Sequence, residues 1–105
     1  MGRLYYAVDA APIEVDDGLL AHLSVAMVAR LRSNGGFALS WTKREEGART
    51  AWISPASPLR FEFEAVRRPA TESALVERLV DLSYSEGGLS LDEAAESGAP
   101  AYRRR

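Results

Sequence analysis

Two periods of hydrophobic recurrence run through the chain, one of two residues and one of about 3.6, and they divide it into strands and helices. Leu4, Tyr6 and Val8 alternate with Arg3, Tyr5 and Ala7, so Arg3 to Val8 reads as a strand. Pro12 to Val15 reads as a second strand, reached through an Asp9-Ala10-Ala11-Pro12 turn. From Asp16 to Asn34 the period changes. At about 100° per residue, Leu20, Leu23, Met27 and Leu31 fall within about 40° of one direction, which predicts an amphipathic helix packed on a sheet. Asp16 or Asp17 supplies a side-chain oxygen to the free N–H groups at its start, and Asn34-Gly35-Gly36 ends it.

Beyond that helix the two-residue period returns. Phe37, Leu39 and Trp41 oppose Ala38, Ser40 and Thr42, and Leu59, Phe61 and Phe63 oppose Arg60, Glu62 and Glu64. Each of these strands has one wet face, as in antiparallel sheets. Between them Thr50 to Ser54 makes a shorter strand after the polar turn Lys43-Arg44-Glu45-Glu46-Gly47, and Pro55-Ala56-Ser57-Pro58 forms the next loop. A second helix begins after Pro69, capped by Thr71, with Leu75, Val76, Leu79 and Leu82 on one face and Gly87-Gly88 at its end. Leu89 to Leu91 returns as a short strand. The predicted fold is α+β, in the order ββαβββαβ, with a mostly antiparallel sheet and its two helices in a single layer on one face. Residues 1–91 form the single domain. Residues 92–105, rich in Glu, Ala, Ser, Gly and Pro before Arg103-Arg104-Arg105, are expected to be a disordered tail.

Composition narrows the chemistry. At 105 residues with 47% hydrophobic content, one core must suffice. There is no cysteine, which excludes disulfides, thiolate zinc sites and thiol nucleophiles, and the expected compartment is the cytoplasm. No stretch approaches the run of about 18 apolar residues that spans a membrane. His22 is the only histidine and lies about 140° from the core direction of its helix, so a surface or interface position is expected and a histidine metal cluster is not. Gly35-Gly36 precedes a strand, which makes it a helix stop and not a phosphate loop. The pairs Asp16-Asp17 and Glu45-Glu46 read as a cap and a solvated turn. No cofactor, no metal, no catalytic residue and no small-molecule substrate is evident.

Charge is uneven although the net is only −2. Residues 30–68 carry eight Arg or Lys against four Glu, while both flanks are acidic. The face of the sheet away from the helices would present Ser40, Thr42 and Arg60, with Tyr5 on the same side and Arg49 nearby. Trp52 joins them if Ala51 and Ile53 are the inward pair of their strand; otherwise Trp52 is buried. An exposed aromatic beside arginines is a platform for stacking a base or a partner side chain. The back of the first helix carries Ala21, His22, Val25 and Ala29 where charge is usual. Such a face admits a closely packed neighbour: the second helix, the tail, or another subunit, the last being the preferred reading as a homodimer.

Several short stretches also resemble a known family. Met1-Gly2-Arg3-Leu4-Tyr5, Asp16-Asp17, Leu20-Ala21-His22-Leu23, Arg30-Leu31-Arg32, Phe37-Ala38-Leu39-Ser40-Trp41, Trp52-Ile53-Ser54-Pro55, Pro58-Leu59 and Gly87-Gly88-Leu89 together resemble a family of small uncharacterised actinobacterial proteins, over roughly residues 1–91. The family is a domain of unknown function whose members often carry the automatic label "ATP-dependent DNA ligase". The resemblance implies no catalytic residues. Ligase chemistry needs a nucleophilic lysine in a Lys-x-Asp-Gly setting. Lys43 is the only lysine, and Arg44-Glu45-Glu46-Gly47 after it lacks that spacing. The expectation is therefore not an enzyme. It is a non-enzymatic binding or assembly domain acting through self-association or a macromolecular partner; the alternative is an accessory nucleic-acid-binding module linked to DNA repair or ligation.

Overall fold

The structure, a computed structural model, describes residues 1–97. The elements follow in the order β1 (Gly2–Tyr5), β2 (Ile13–Val15), α1 (Asp17–Asn34), β3 (Phe37–Lys43), β4 (Gly47–Ile53), β5 (Arg60–Glu62), α2 (Ser73–Ser83), β6 (Leu89–Ser90) and α3 (Leu91–Ser97). The fold is α+β with mostly antiparallel strands, in the predicted order plus one C-terminal helix. Residues 98–105 of the predicted tail lie outside the described residues. Residues 92–97, also assigned to that tail, are helical in α3, where Leu91 and Ala94 are buried in the core. An apolar pair three residues apart is enough to anchor a helical turn once a core is present to receive it.

The strands form two three-stranded sheets among the described residues, ordered β2-β1-β5 and β4-β3-β6. In the first, Leu4 stands opposite Ile13 on one side and Phe61 on the other, a continuous apolar row toward the core. One position earlier, Arg3 stands opposite Glu14 and Glu62, so its outer face sets a cation between two carboxylates. Opposite charges across a strand and apolar residues beneath it fix one register. In the second sheet, β3 and β4 form a seven-residue hairpin with Leu39 opposite Ala51, and β6 joins β3 in parallel, Leu39 beside Leu89. The alternation of β3 holds: Phe37 and Leu39 are buried and Ala38 and Ser40 are half-buried. In the β5 region Leu59, Phe61 and Phe63 pack against the core only in part.

α1 is the central element. Asp16 is its cap, accepting from the Gly18 and Leu19 N–H groups at 2.9 and 3.3 Å. Asp17 acts at longer range. Its carboxylate accepts from the N–H groups of Glu64 and Ala65 at 3.2 and 2.8 Å, tying the chain beyond β5 to the helix start. Leu20, Leu23 and Met27 are fully buried, and Leu31 is partly so. Burial is not confined to that stripe, however, and runs unbroken from Leu19 to Ser24. A helix buried on several sides has neighbours on several sides, and the second neighbour is α2, whose Leu79 and Leu82 are buried while Leu75 and Val76 are partly so. α2 begins at Ser73 behind Glu72, with no side-chain cap, in place of the predicted Thr71 cap.

Arg30 closes the far end of α1. It is buried, and its guanidinium donates to the carbonyl oxygens of Gly35 and Gly36, both at 3.2 Å. Its charge lies 4.0 Å from the ring centroid of Tyr84, just past α2, and 5.7 Å from that of Phe37. A buried cation is tolerated when acceptors and aromatic faces surround it; the two terminal nitrogens of Arg30 find carbonyl acceptors, and its buried Nε–H has none. Arg30 thus joins the end of α1, the start of β3 and the end of α2.

Candidate functional site

The structure separates the residues that the strand pattern places on one face. Tyr5 and Arg60 belong to the first sheet, where they stand directly opposite each other with the guanidinium 4.1 Å from the ring centroid. Arg60 also pairs with Glu62 at 3.0 Å. Ser40, Thr42 and Trp52 belong to the second sheet, on the face away from Phe37, Leu39 and Ile53. Thr42 donates its hydroxyl to Asp92 of α3 at 2.6 Å. Arg49 does not join them. It stands opposite Trp41, on the inward side of the hairpin, because it lies an odd number of positions, three, from Trp52 and side chains alternate. The single platform of six residues is therefore two clusters in two sheets with one residue on the opposite face.

Trp52 is the most informative of them. Ala51 and Ile53 are the inward pair, and Trp52 is 67% exposed. Its ring lies beside Gly36, where an added Cβ would come within 2.7 Å of it. The strand that carries it, β4, pairs only with β3 and forms one end of its sheet. Among the described residues it is the longest strand at a sheet edge: β2, β5 and β6, the other edges, have two or three residues each. Residues 47–50 and Trp52 are all exposed, and no proline interrupts them.

The back of α1 is not an open surface. Ala21 and His22 are buried, Val25 is half-buried, and only Ala29 of that group is exposed. The helical period alone places His22 at the surface, but both of its ring nitrogens are engaged inside the chain: Nδ1 donates to the Gly18 carbonyl oxygen at 2.7 Å, and Nε2 accepts the Glu72 N–H at 3.0 Å. That pattern assigns the ring proton to Nδ1. The small residues of this face thus admit α2, and His22 fastens the approach to α2 onto α1. Of the three neighbours that the sequence pattern allows there, α2 of the same chain covers Ala21 and His22, and Ala29 stays exposed.

One constellation brings together residues that the strand pattern leaves apart. Tyr6, just past β1, meets Trp41 edge to face, ring centroids 5.4 Å apart. Beside them Lys43 and Arg49 converge on one oxygen of Glu46, at 3.6 and 2.8 Å, with both cations about half exposed. The signal present in the sequence is the same-face spacing of Trp41 and Lys43. The pairing of Trp41 with Arg49 depends on the hairpin register.

The sequence profile of a family described as a domain of unknown function, DUF7882, matches residues 1–94. The chain belongs to this family. The matched span runs through β6 into the first four residues of α3. Neither the curated proteins nor the solved structures give a match. Among the described residues no helix is long and apolar enough to cross a membrane.

Proposed function

We propose that this DUF7882 chain is a non-enzymatic assembly domain that self-associates by pairing β4 with β4 of a second copy. The observation that carries the reading is Trp52, a large apolar side chain 67% exposed on the longest edge strand. An unpaired strand edge presents a row of N–H and C=O groups, and proteins normally shorten, charge or cover such edges. β4 has seven residues, and its only charged side chain, Arg49, turns to the inward side.

A two-fold axis through Ala51 gives the most favourable register. It brings the two copies of Trp52 diagonally together across the axis, each beside Thr50 of the other copy, and keeps the two Arg49 side chains apart. Aromatic pairs across strands stabilise by about 0.2 to 1 kcal/mol each beyond the ladder itself. A two-fold arrangement of this kind is closed and yields a dimer.

The non-enzymatic part of the proposal draws on the two side chains best suited to chemistry. His22 is buried with both nitrogens engaged, and Lys43, followed by Arg44-Glu45-Glu46-Gly47, lacks the Lys-x-Asp-Gly setting of a nucleotidyl-transfer nucleophile. An accessory nucleic-acid-binding module is the weaker reading, because Arg49 and Trp52 occupy opposite faces of β4 and one strand of nucleic acid cannot lie on both. Light scattering across a concentration series tests the assembly. The wild-type chain is expected to be a dimer and Trp52→Glu a monomer of unchanged helical content.

A further inference from the structure

A cleft of about 460 Å³ lies between the loop joining β1 to β2 and the far end of the β3–β4 hairpin. It arises because the inward face of the hairpin outruns the core. Phe37 and Leu39 of that face are buried, but two and four residues further on Trp41 and Lys43 face the loop that carries Tyr6 and Pro12. Trp41 and Tyr6 supply aromatic wall, Lys43 and Arg49 a cationic rim, and Glu14 a carboxylate. The volume falls in the range of about 300 to 1,000 Å³ typical of small-molecule sites, which likewise combine apolar lining with a few polar groups.

The electrostatics favour one chemistry. Lys43 and Arg49 share a single oxygen of Glu46, so two cations are already held near each other at one end of the cleft. Both are about half exposed, and a surface ion pair of this kind exchanges its partner at little cost. An incoming anion can take the place of Glu46, with arginine offering it a two-pronged contact. The aromatic wall receives a flat ring by stacking, as aromatic side chains receive nucleobases.

We propose that the cleft binds a flat aromatic ring bearing one anionic group, with the ring against Trp41 and Tyr6 and the anion between Lys43 and Arg49. A base with its phosphate and an aromatic carboxylate share this chemistry. Trp52→Phe leaves Trp41 as the only tryptophan, and its emission reports the site. This variant is titrated with AMP, 4-hydroxybenzoate, adenosine and inorganic phosphate. A saturable change with AMP alone identifies the nucleotide source, with 4-hydroxybenzoate alone the carboxylate source, and with both the shared chemistry. In each case Lys43→Gln and Arg49→Gln, both at exposed positions, are expected to weaken binding at least tenfold. Adenosine is expected to bind more weakly than AMP and to be indifferent to either substitution. The proposal is overturned if neither anion gives a saturable change, or if binding survives both substitutions undiminished.

Discussion

Replacing Gly88 by alanine tests how closely β6 is held against β3. Gly88 has φ +80°, in the left-handed region where an L-residue costs about 1 to 2 kcal/mol. An added Cβ there would also collide with the Ala38 carbonyl oxygen and approach the Ala38 Cβ to 2.8 Å. Because both atoms belong to β3, relief requires moving the strand entry by a large fraction of an ångström at the point where Leu89 meets Leu39. Overpacking of this order costs about 1 to 3 kcal/mol, so Gly88→Ala is expected to lose about 3 kcal/mol in total. Gly47→Ala is the control. It has φ +92° but no atom within 4 Å of the added Cβ, and should lose only the backbone part, about 1 to 2 kcal/mol. Chemical denaturation of both variants gives the difference directly. In a domain of this size each kcal/mol is about 4 to 8 °C in melting temperature, so thermal unfolding resolves it as well. Equal losses in the two variants, or a smaller loss at Gly88, would show that β6 does not sit against β3 as described.

Two further substitutions probe the local devices. Asp16→Ala removes the acceptor for the Gly18 and Leu19 N–H groups and should cost about 1 kcal/mol in denaturant unfolding; no loss would mean that Asp17 or water caps the helix equally well. Glu45 is the only non-glycine residue with positive φ among the described residues, at 66° in the β3–β4 turn. Glu45→Asn, a residue that tolerates this conformation, should raise stability by about 0.5 kcal/mol, and a loss would show that the glutamate side chain contributes more to the turn than its backbone strain removes.

The parts of this fold legible in the sequence are those governed by a single element's period. Leu20, Leu23 and Met27 are readable as the core side of α1, and Phe37 and Leu39 as the core side of β3, because spacing alone assigns them a face. Pairing between distant segments is not readable. Nothing in Arg60–Glu62 states that it joins β1 instead of β4, so the division into two sheets, and with it the scattering of Tyr5, Arg60, Ser40, Thr42 and Trp52, emerges only from the register. The back of α1 misleads for a related reason. Ala21, Val25 and Ala29 do admit a neighbour, and composition does not say that α2 of the same chain covers most of that face. In α3, a predominance of small and charged residues conceals Leu91 and Ala94, whose burial depends on β6 delivering them to the core. Arg30 counts in the sequence only as positive charge, although its place at the end of α1 next to Gly35-Gly36 is what makes it a clasp.

Trp52 and the edge of β4 are the proposed surface through which two copies assemble. Sedimentation velocity over a hundredfold range of concentration, on the wild-type chain and on Trp52→Glu and Thr50→Lys, decides whether they do, since both substitutions fall at exposed positions outside the core. A reversible dimer is predicted for the wild type and monomers for both variants. A wild-type chain that stays monomeric throughout, or variants that dimerise as strongly as the wild type, would contradict it.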